Sequence, residues 1–291
     1  GLAEKATVQA DADDEASRTR AAMAALDAEL GAGWVKSVTP AFAPERAVLI
    51  DDRWATARED VARLGSGETD LDAFRRLLAP ERFVGLGQAV ADHATWWAKQ
   101  AKACDLADGA ERAAILTEIA QAAPKTPQAG DATVRWSEDV AVVTGVAPGS
   151  IAAAVVGELL AGGATVVATS SRLTHERLEF ATTLYREHAA AGAKLWMVPA
   201  NLSSYRDVDA LAEWIGNDQV VTSGGSTKVV KEALVPTLLF PFAAPRVSGT
   251  LADAGPAAES QTRLLLWSVE RTIAALSAIG TDTHVDHRLH V

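Results

Sequence analysis

The stretch VAVVTGVAPGSIAAAV, residues 140 to 155, constrains the fold more than any other part of the chain. Four apolar residues lead into Thr144-Gly145. A short turn closes at Gly149-Ser150-Ile151, and small apolar residues follow. This order reads as a strand, a tight loop and a helix start. The first N–H groups of such a helix have no intrahelical partner, and its dipole favours an anion there. With no side chain at Gly145 and Gly149, phosphates can come close to the backbone. The form is TGxxxGSIA, with wider glycine spacing than GxGxxG, and an ordinary strand–helix turn looks much the same.

The residues that follow repeat the unit. Strands are expected at 139–143, 165–169, 195–198 and 238–240, with helices at 150–160, 173–191, 204–215 and 256–279. Leu289-His290-Val291 reads as the start of a fifth strand. Such alternation implies a parallel sheet with helices on both faces.

Residues 1–123 have a different character, with helical periodicity and many Ala, Asp, Glu and Arg residues. Helices are expected at 13–30, 50–64, 69–78, 84–105 and 106–123; Met23, Leu26 and Leu30 form one stripe of the first. Residues 124–135, PKTPQAGDATVR, have a linker composition. The expected class is therefore α/β: an N-terminal helical scaffold segment, 1–123, and a linker, 124–135, followed by an incomplete Rossmann-like doubly wound parallel sheet, 136–291. The chain begins at Gly1 and its last residues read as an unfinished strand, so it is expected to be a piece of something larger.

Charge narrows the partners. A net charge of −11 argues against a general nucleic-acid binder and against an anionic membrane surface. No apolar run approaches the ~20 residues of a membrane span. The single cysteine, Cys104, rules out an internal disulfide and fits a cytoplasmic setting.

The second strand bears on cofactor choice. An NAD site would show an acid about twenty residues beyond the glycine loop, for the ribose 2′-hydroxyl. The chain instead reads Thr169-Ser170-Ser171-Arg172. Hydroxyls and a guanidinium suit a 2′-phosphate, which points to NADPH. After the third strand, Asn201 either turns to an adenine ring or forms an Asx turn before the next helix. Past the fourth strand, the small residues of Pro241-Phe242-Ala243-Ala244 leave room for a ribose and nicotinamide.

VVTGVAPGSI, TSSR, VPANLSS and TLLFPFAAP together resemble the short-chain dehydrogenase/reductase superfamily, in that superfamily's order. The resemblance covers 138–291. It is closest to the ketoacyl reductase domain of type I fatty acid synthases of fungi and of mycobacteria and related actinobacteria. RAVLIDDRWATAREDVARL, 46–64, resembles the region between carrier protein and reductase in those synthases. The resemblance implies that Gly145, Gly149, Ser150 and Ile151 line the pyrophosphate. It further implies that Ser171 and Arg172 hold the 2′-phosphate, Asn201 and Leu202 the adenine, and Phe242, Ala243 and Ala244 the inner ribose. Ala152 stands where related sequences often have a third glycine. The implied activity is NADPH-dependent reduction of a 3-oxoacyl chain on an acyl carrier protein, within a homo-oligomer such as a hexamer. An enoyl reductase of the same superfamily and a noncatalytic Rossmann assembly module stay open.

The family's YxxxK pair is absent. Tyr185 is followed four residues later by Ala189, and Tyr205 by Asp209. The resemblance implies catalytic groups past Val291, so no catalytic residue is expected in this chain, and the chain alone is expected to be inactive. His284, His287 and His290 form HxxHxxH, but that spacing winds round a helix, and no metal site is expected. Of Trp96-Trp97, one is expected in a core and the other at an interface. VVTSGGSTK, 220–228, reads as a surface insertion.

Overall fold

The computed structural model describes residues 2–31, 33–75, 77–104, 106–244, 254–279 and 289–291. The N-terminal part holds α1 (Leu2–Leu30), α2 (Trp34–Val38), α3 (Arg53–Ser66), α4 (Leu71–Phe74), α5 (Gln88–Ala103) and α6 (Gly109–Ala122). Asp52 caps α3 by accepting from Ala55 N at 2.9 Å. Helices α3, α5 and α6 enclose a core of Val61, Leu64, Phe83, Val90, Leu116 and Ile119. Trp97 packs against it while Trp96 is 52% exposed, as the adjacent positions on a helix require. A Cβ on Gly65 would lie 2.5 Å from the Trp97 ring, so α3 is glycine where the indole crosses it.

Two expectations for this part are corrected. The helix expected over 69–78 is only the single turn α4, with Asp70 accepting from Asp72 N at its start. The helix expected from Ile50 begins at Arg53, because Val48–Ile50 is a strand, β1. The stripe of Met23, Leu26 and Leu30 covers no core: Met23 and Leu26 are each 42% exposed.

The main sheet contains β1, β2 (Val140–Thr144), β3 (Thr165–Ser170), β4 (Lys194–Pro199) and, after a separate hairpin of β5 (Gln219–Ser223) and β6 (Ser226–Lys231), β7 (Leu238–Pro241). Its order is β1-β4-β3-β2-β7. All pairings are parallel except β1 with β4, whose register sets Val48 opposite Met197. The chain thus has an α/β, Rossmann-like sheet. Its buried strands read as continuous apolar runs because helices cover both faces. Helices α7 (Ile151–Ala161) and α8 (His175–His188) enclose one core with Val143, Val166, Leu195 and Met197. On the other face α9 (Tyr205–Gly216) and α11 (Ser268–Ser277) enclose Val142, Val167, Val198 and Leu239. Helix α10 (Ala254–Thr262) joins α11 through one π-helical turn, Arg263–Trp267.

Leu289–Val291 behaves as the strand start that was expected: His290 bridges Leu238 in parallel, and Leu239 N donates to His290 O at 2.8 Å. The polar stretch 220–228 lies in the β5–β6 hairpin, turning at Gly224-Gly225 with φ of 58° and 81°. Two positive φ angles at the turn match strand twist, and only glycine adopts them without strain.

Candidate functional site

Strand order reverses between β2 and β7: β3 and β4 extend from one side of β2, and β7 lies on the other. A crevice outside the carboxyl ends of the strands forms at such a reversal. Here it is a cleft of about 360 Å³ lined by the ends of four strands. Gly145 to Ala147 follow β2, and Thr169 to Ser171 end β3. Ala200 to Ser203 follow β4, and Phe242 to Ala244 follow β7.

The loop after β2 is held from within. Gly145 has φ +73°, and a Cβ there would meet Ala243 Cα at 2.7 Å. Thr144 Oγ1 accepts from Ala243 N at 2.9 Å, joining the ends of β2 and β7. Gly149 has φ +70°, and a Cβ on it would meet nothing within 4 Å. No group among the described residues fills that space, so the loop leaves room for a ligand next to its backbone. Ser150 is the N-cap of α7. Its Oγ accepts from Ala153 N at 3.1 Å and donates to Ala147 O at 2.7 Å. Ile151 is 72% exposed and lies in a groove with Trp136, Val155 and Phe240. Gly149, Ser150 and Ile151 are therefore beside the cleft rather than in its lining. Ala152 is buried in the core between helix and sheet.

Ser171 lines the cleft and, with Arg172, a second hollow that adjoins it. Asn201 lines both. Its Oδ1 accepts from Ser203 N at 3.1 Å, which is the Asx turn. Its Nδ2 donates to Ser37 O at 2.7 Å and to Thr39 O at 2.8 Å. The amide is thus committed to the protein, as is the backbone N–H, which donates to Asp207 Oδ2 at 2.8 Å. Leu202 lines the cleft and is mostly buried. Phe242 stacks on Phe240 with ring centroids 6.1 Å apart.

The cleft also contains a cation that the sequence reading did not single out. Arg177, in the first turn of α8, donates from Nη1 to Val146 O at 2.9 Å. A cation near a helix N-terminus opposes the dipole. That anomaly was the available signal. The chain's two tyrosines are elsewhere. Tyr185 is fully buried and donates to Ala193 O at 2.8 Å; burial pushes its phenol well above the ordinary tyrosine value. Tyr205 lies under the guanidinium groups of Arg263 and Arg271. Among the described residues lining the cleft there is no tyrosine, lysine, histidine or carboxylate. His284 and His287 of the HxxHxxH stretch lie outside the described residues. Among the described residues no helix is long and apolar enough to cross a membrane.

No family model matches the chain. Over 147 residues it is 33% identical to the fatty acid synthase subunit alpha of Candida parapsilosis, covering 50% of this chain and 7% of that protein. Over 103 residues it is 38% identical to the fatty acid synthase subunit alpha of Schizosaccharomyces pombe, covering 35% of this chain and 6% of that protein. The chain therefore spans less than a tenth of the length of these relatives. Among solved structures it is similar to L-sorbose reductase of Gluconobacter frateurii, solved with NADPH and L-sorbose. That match has a TM-score of 0.37 and 20% identity, covering 50% of this chain and 49% of that one.

Proposed function

We propose that the chain is the cofactor-binding part of a reductase within a fatty acid synthase. In the complete enzyme NADPH would reduce a 3-oxoacyl-[acyl-carrier-protein] to the 3-hydroxyacyl product. The observation that carries the reading is the cleft at the strand-order reversal, floored by the glycine loop at Gly145 and rimmed by Ser171 rather than by an acid. The similarity to synthase alpha subunits supports the synthase setting.

The backbone at Gly145, Gly149, Ser150 and Ile151 would hold the pyrophosphate, with Arg177 adding a positive charge. Ser171 and Arg172 would take the 2′-phosphate. Asn201 and Leu202 would meet the adenine, and Phe242 to Ala244 the inner ribose. The bound cofactor supplies the hydride, and these residues bind and orient it. Ketone reduction also needs a proton at the forming alkoxide. Neither tyrosine lines the cleft, so we place the donor in another part of the synthase. Residues 1–123 would serve as scaffold and 124–135 as linker before the cofactor-binding unit 136–291. The partners would be the acyl carrier protein, other synthase domains and further copies in a homo-oligomer, and the setting cytoplasmic.

The second reading is a noncatalytic Rossmann assembly module. The commitment of the Ser150 and Asn201 side chains to internal hydrogen bonds favours it. Calorimetric titration of the full chain with NADPH and NADH separates the two. Binding of NADPH more tightly than NADH is expected. Absence of any binding to a folded chain overturns the reductase reading and leaves the module.

A further inference from the structure

We propose that Lys36, carried by the N-terminal helical segment, is a specificity-determining residue for the 2′-phosphate, acting with Arg172 across one hollow. The inference rests on the NADPH reading above. The hollow measures about 720 Å³ and shares Ser171 and Asn201 with the main cleft, so the two adjoin at the carboxyl end of the sheet. Arg172 and Ser171, from the sheet side, line it together with Lys36, Val35 and Pro40 of the N-terminal segment and Met23 of α1.

The segment bearing Lys36 is a strap fixed to the sheet's carboxyl edge. On one side Val35 N donates to Asp27 Oδ1 at 2.8 Å. On the other, the carbonyls of Ser37 and Thr39 accept from Asn201 Nδ2. Further along, Ala41 N and Phe42 N donate to Asp207 Oδ2 at 2.7 and 2.8 Å. Asn201 N donates to that same oxygen at 2.8 Å. Asp207 is 1% exposed, so one buried carboxylate sets the strap in register with the turn after β4. Asn201 is thus a strap anchor at the adenosine end of the cleft.

The charges then suit a phosphomonoester. The Lys36 ammonium and the Arg172 guanidinium have no hydrogen-bond or ion-pair partner among the described residues. Asp27 also lines the hollow and keeps its negative charge while its Oδ1 accepts from Val35 N, so the two cations outweigh one carboxylate there. A phosphomonoester carries about −1.5 to −2 charge at pH 7 and three acceptor oxygens. It would take charge-assisted hydrogen bonds from the two cations that line the hollow. A 2′-hydroxyl in the same place offers no charge and a single acceptor oxygen. Discrimination between the two cofactors would therefore be shared between the sheet and the helical segment.

The test uses the full chain, with thermal melts to confirm folding, and titrates NADPH, NADH, 2′,5′-ADP and 5′-AMP. Lys36→Gln is expected to weaken NADPH and 2′,5′-ADP about five- to tenfold and to leave NADH and 5′-AMP within about twofold. Lys36→Arg is expected to keep most of the preference. Unchanged NADPH affinity in Lys36→Gln, or equal weakening of NADPH and NADH, overturns the role of Lys36 and leaves the cofactor reading standing. A wild-type chain that binds NADPH and NADH equally well overturns the 2′-phosphate site alone. Failure to bind any of the four overturns both.

Discussion

Arg186 Nε donates to Asp60 Oδ1 at 2.9 Å, joining α8 of the sheet unit to α3 of the helical segment. The Asp60 side chain is 1% exposed and the Arg186 side chain 20%. Burial raises the Asp60 carboxyl above its ordinary value, while Arg186 pulls it back. Arg53 runs alongside, donating from Nε to Ala189 O at 2.8 Å. Arg186→Met is expected to destabilise the chain by about 3–5 kcal/mol, because it leaves a buried carboxylate without its cation. Asp60→Asn in the same chain is expected to recover part of that loss. Urea denaturation of the single and double variants checks it, and an Arg186→Met chain as stable as wild type refutes it.

The two loop glycines are expected to separate under substitution. Gly145→Ala meets Ala243 Cα at 2.7 Å and also has to hold φ +73°. Gly149→Ala has the φ strain without a clash, which costs about 1–2 kcal/mol. Thermal melts are expected to rank Gly145→Ala well below Gly149→Ala. NADPH titration of Gly149→Ala is expected to show weakened binding in a folded chain. Full affinity there removes the loop from the phosphate site.

The two arginines near the cleft are expected to differ in cofactor dependence. Arg177→Gln removes a guanidinium positioned over the glycine loop, so NADPH and NADH are expected to weaken alike. Arg172→Ala is expected to weaken NADPH far more than NADH, by about 1.5–3 kcal/mol for a lost hydrogen bond to a charged group. Competition binding with both cofactors measures this. Equal losses in Arg172→Ala remove it from the 2′-phosphate.

Lys231 sets a pH dependence. It is 5% exposed, and its Nζ donates to the carbonyls of Ile215, Asn217 and Glu232 at 2.8 to 3.1 Å, pinning the hairpin to the end of α9. Burial pushes its ammonium from 10.5 down to about 8, against the pull of Asp218. Between those values the unfolded chain binds more protons than the folded one, so this group's share of stability rises with pH. It is full above pH 10.5 and is lost as pH falls through about 8. Denaturation midpoints from pH 7 to 10.5 are expected to climb more steeply for wild type than for Lys231→Met. Parallel curves refute it.

Much of the sheet was legible because its strands are buried on both faces and their apolar runs end at turn residues. The helices at 150–160 and 204–215 lie within a residue of α7 and α9, since Ser150 and Ser204 cap them. β1 was missed, although Ala47 to Ile50 is an apolar run just before Asp51-Asp52. Three residues carry no usable period, and only the edge of β4 makes them a strand. The hairpin had a signal in Gly224-Gly225 between valine pairs. At the site, glycine, serine and arginine types pointed to a phosphate cleft, but Arg177 lay outside the motifs that framed the reading.

By itself the sequence determined the alternation of strand and helix, the glycine turn after β2 and the lack of an acid after β3. These are local matters of periodicity, backbone freedom and charge type. Tertiary structure decided where each group spends its hydrogen bonds. Gly145 is demanded by the backbone of Ala243, which lies 98 residues away along the chain, as well as by its own φ. Asn201 and Asp207 reach back to the strap at Ser37–Phe42, which brings Lys36 to the hollow that holds Arg172. No local pattern encodes those pairings. They arise only when packing of the helical segment against the sheet edge takes these groups out of water and makes an unpaired one costly.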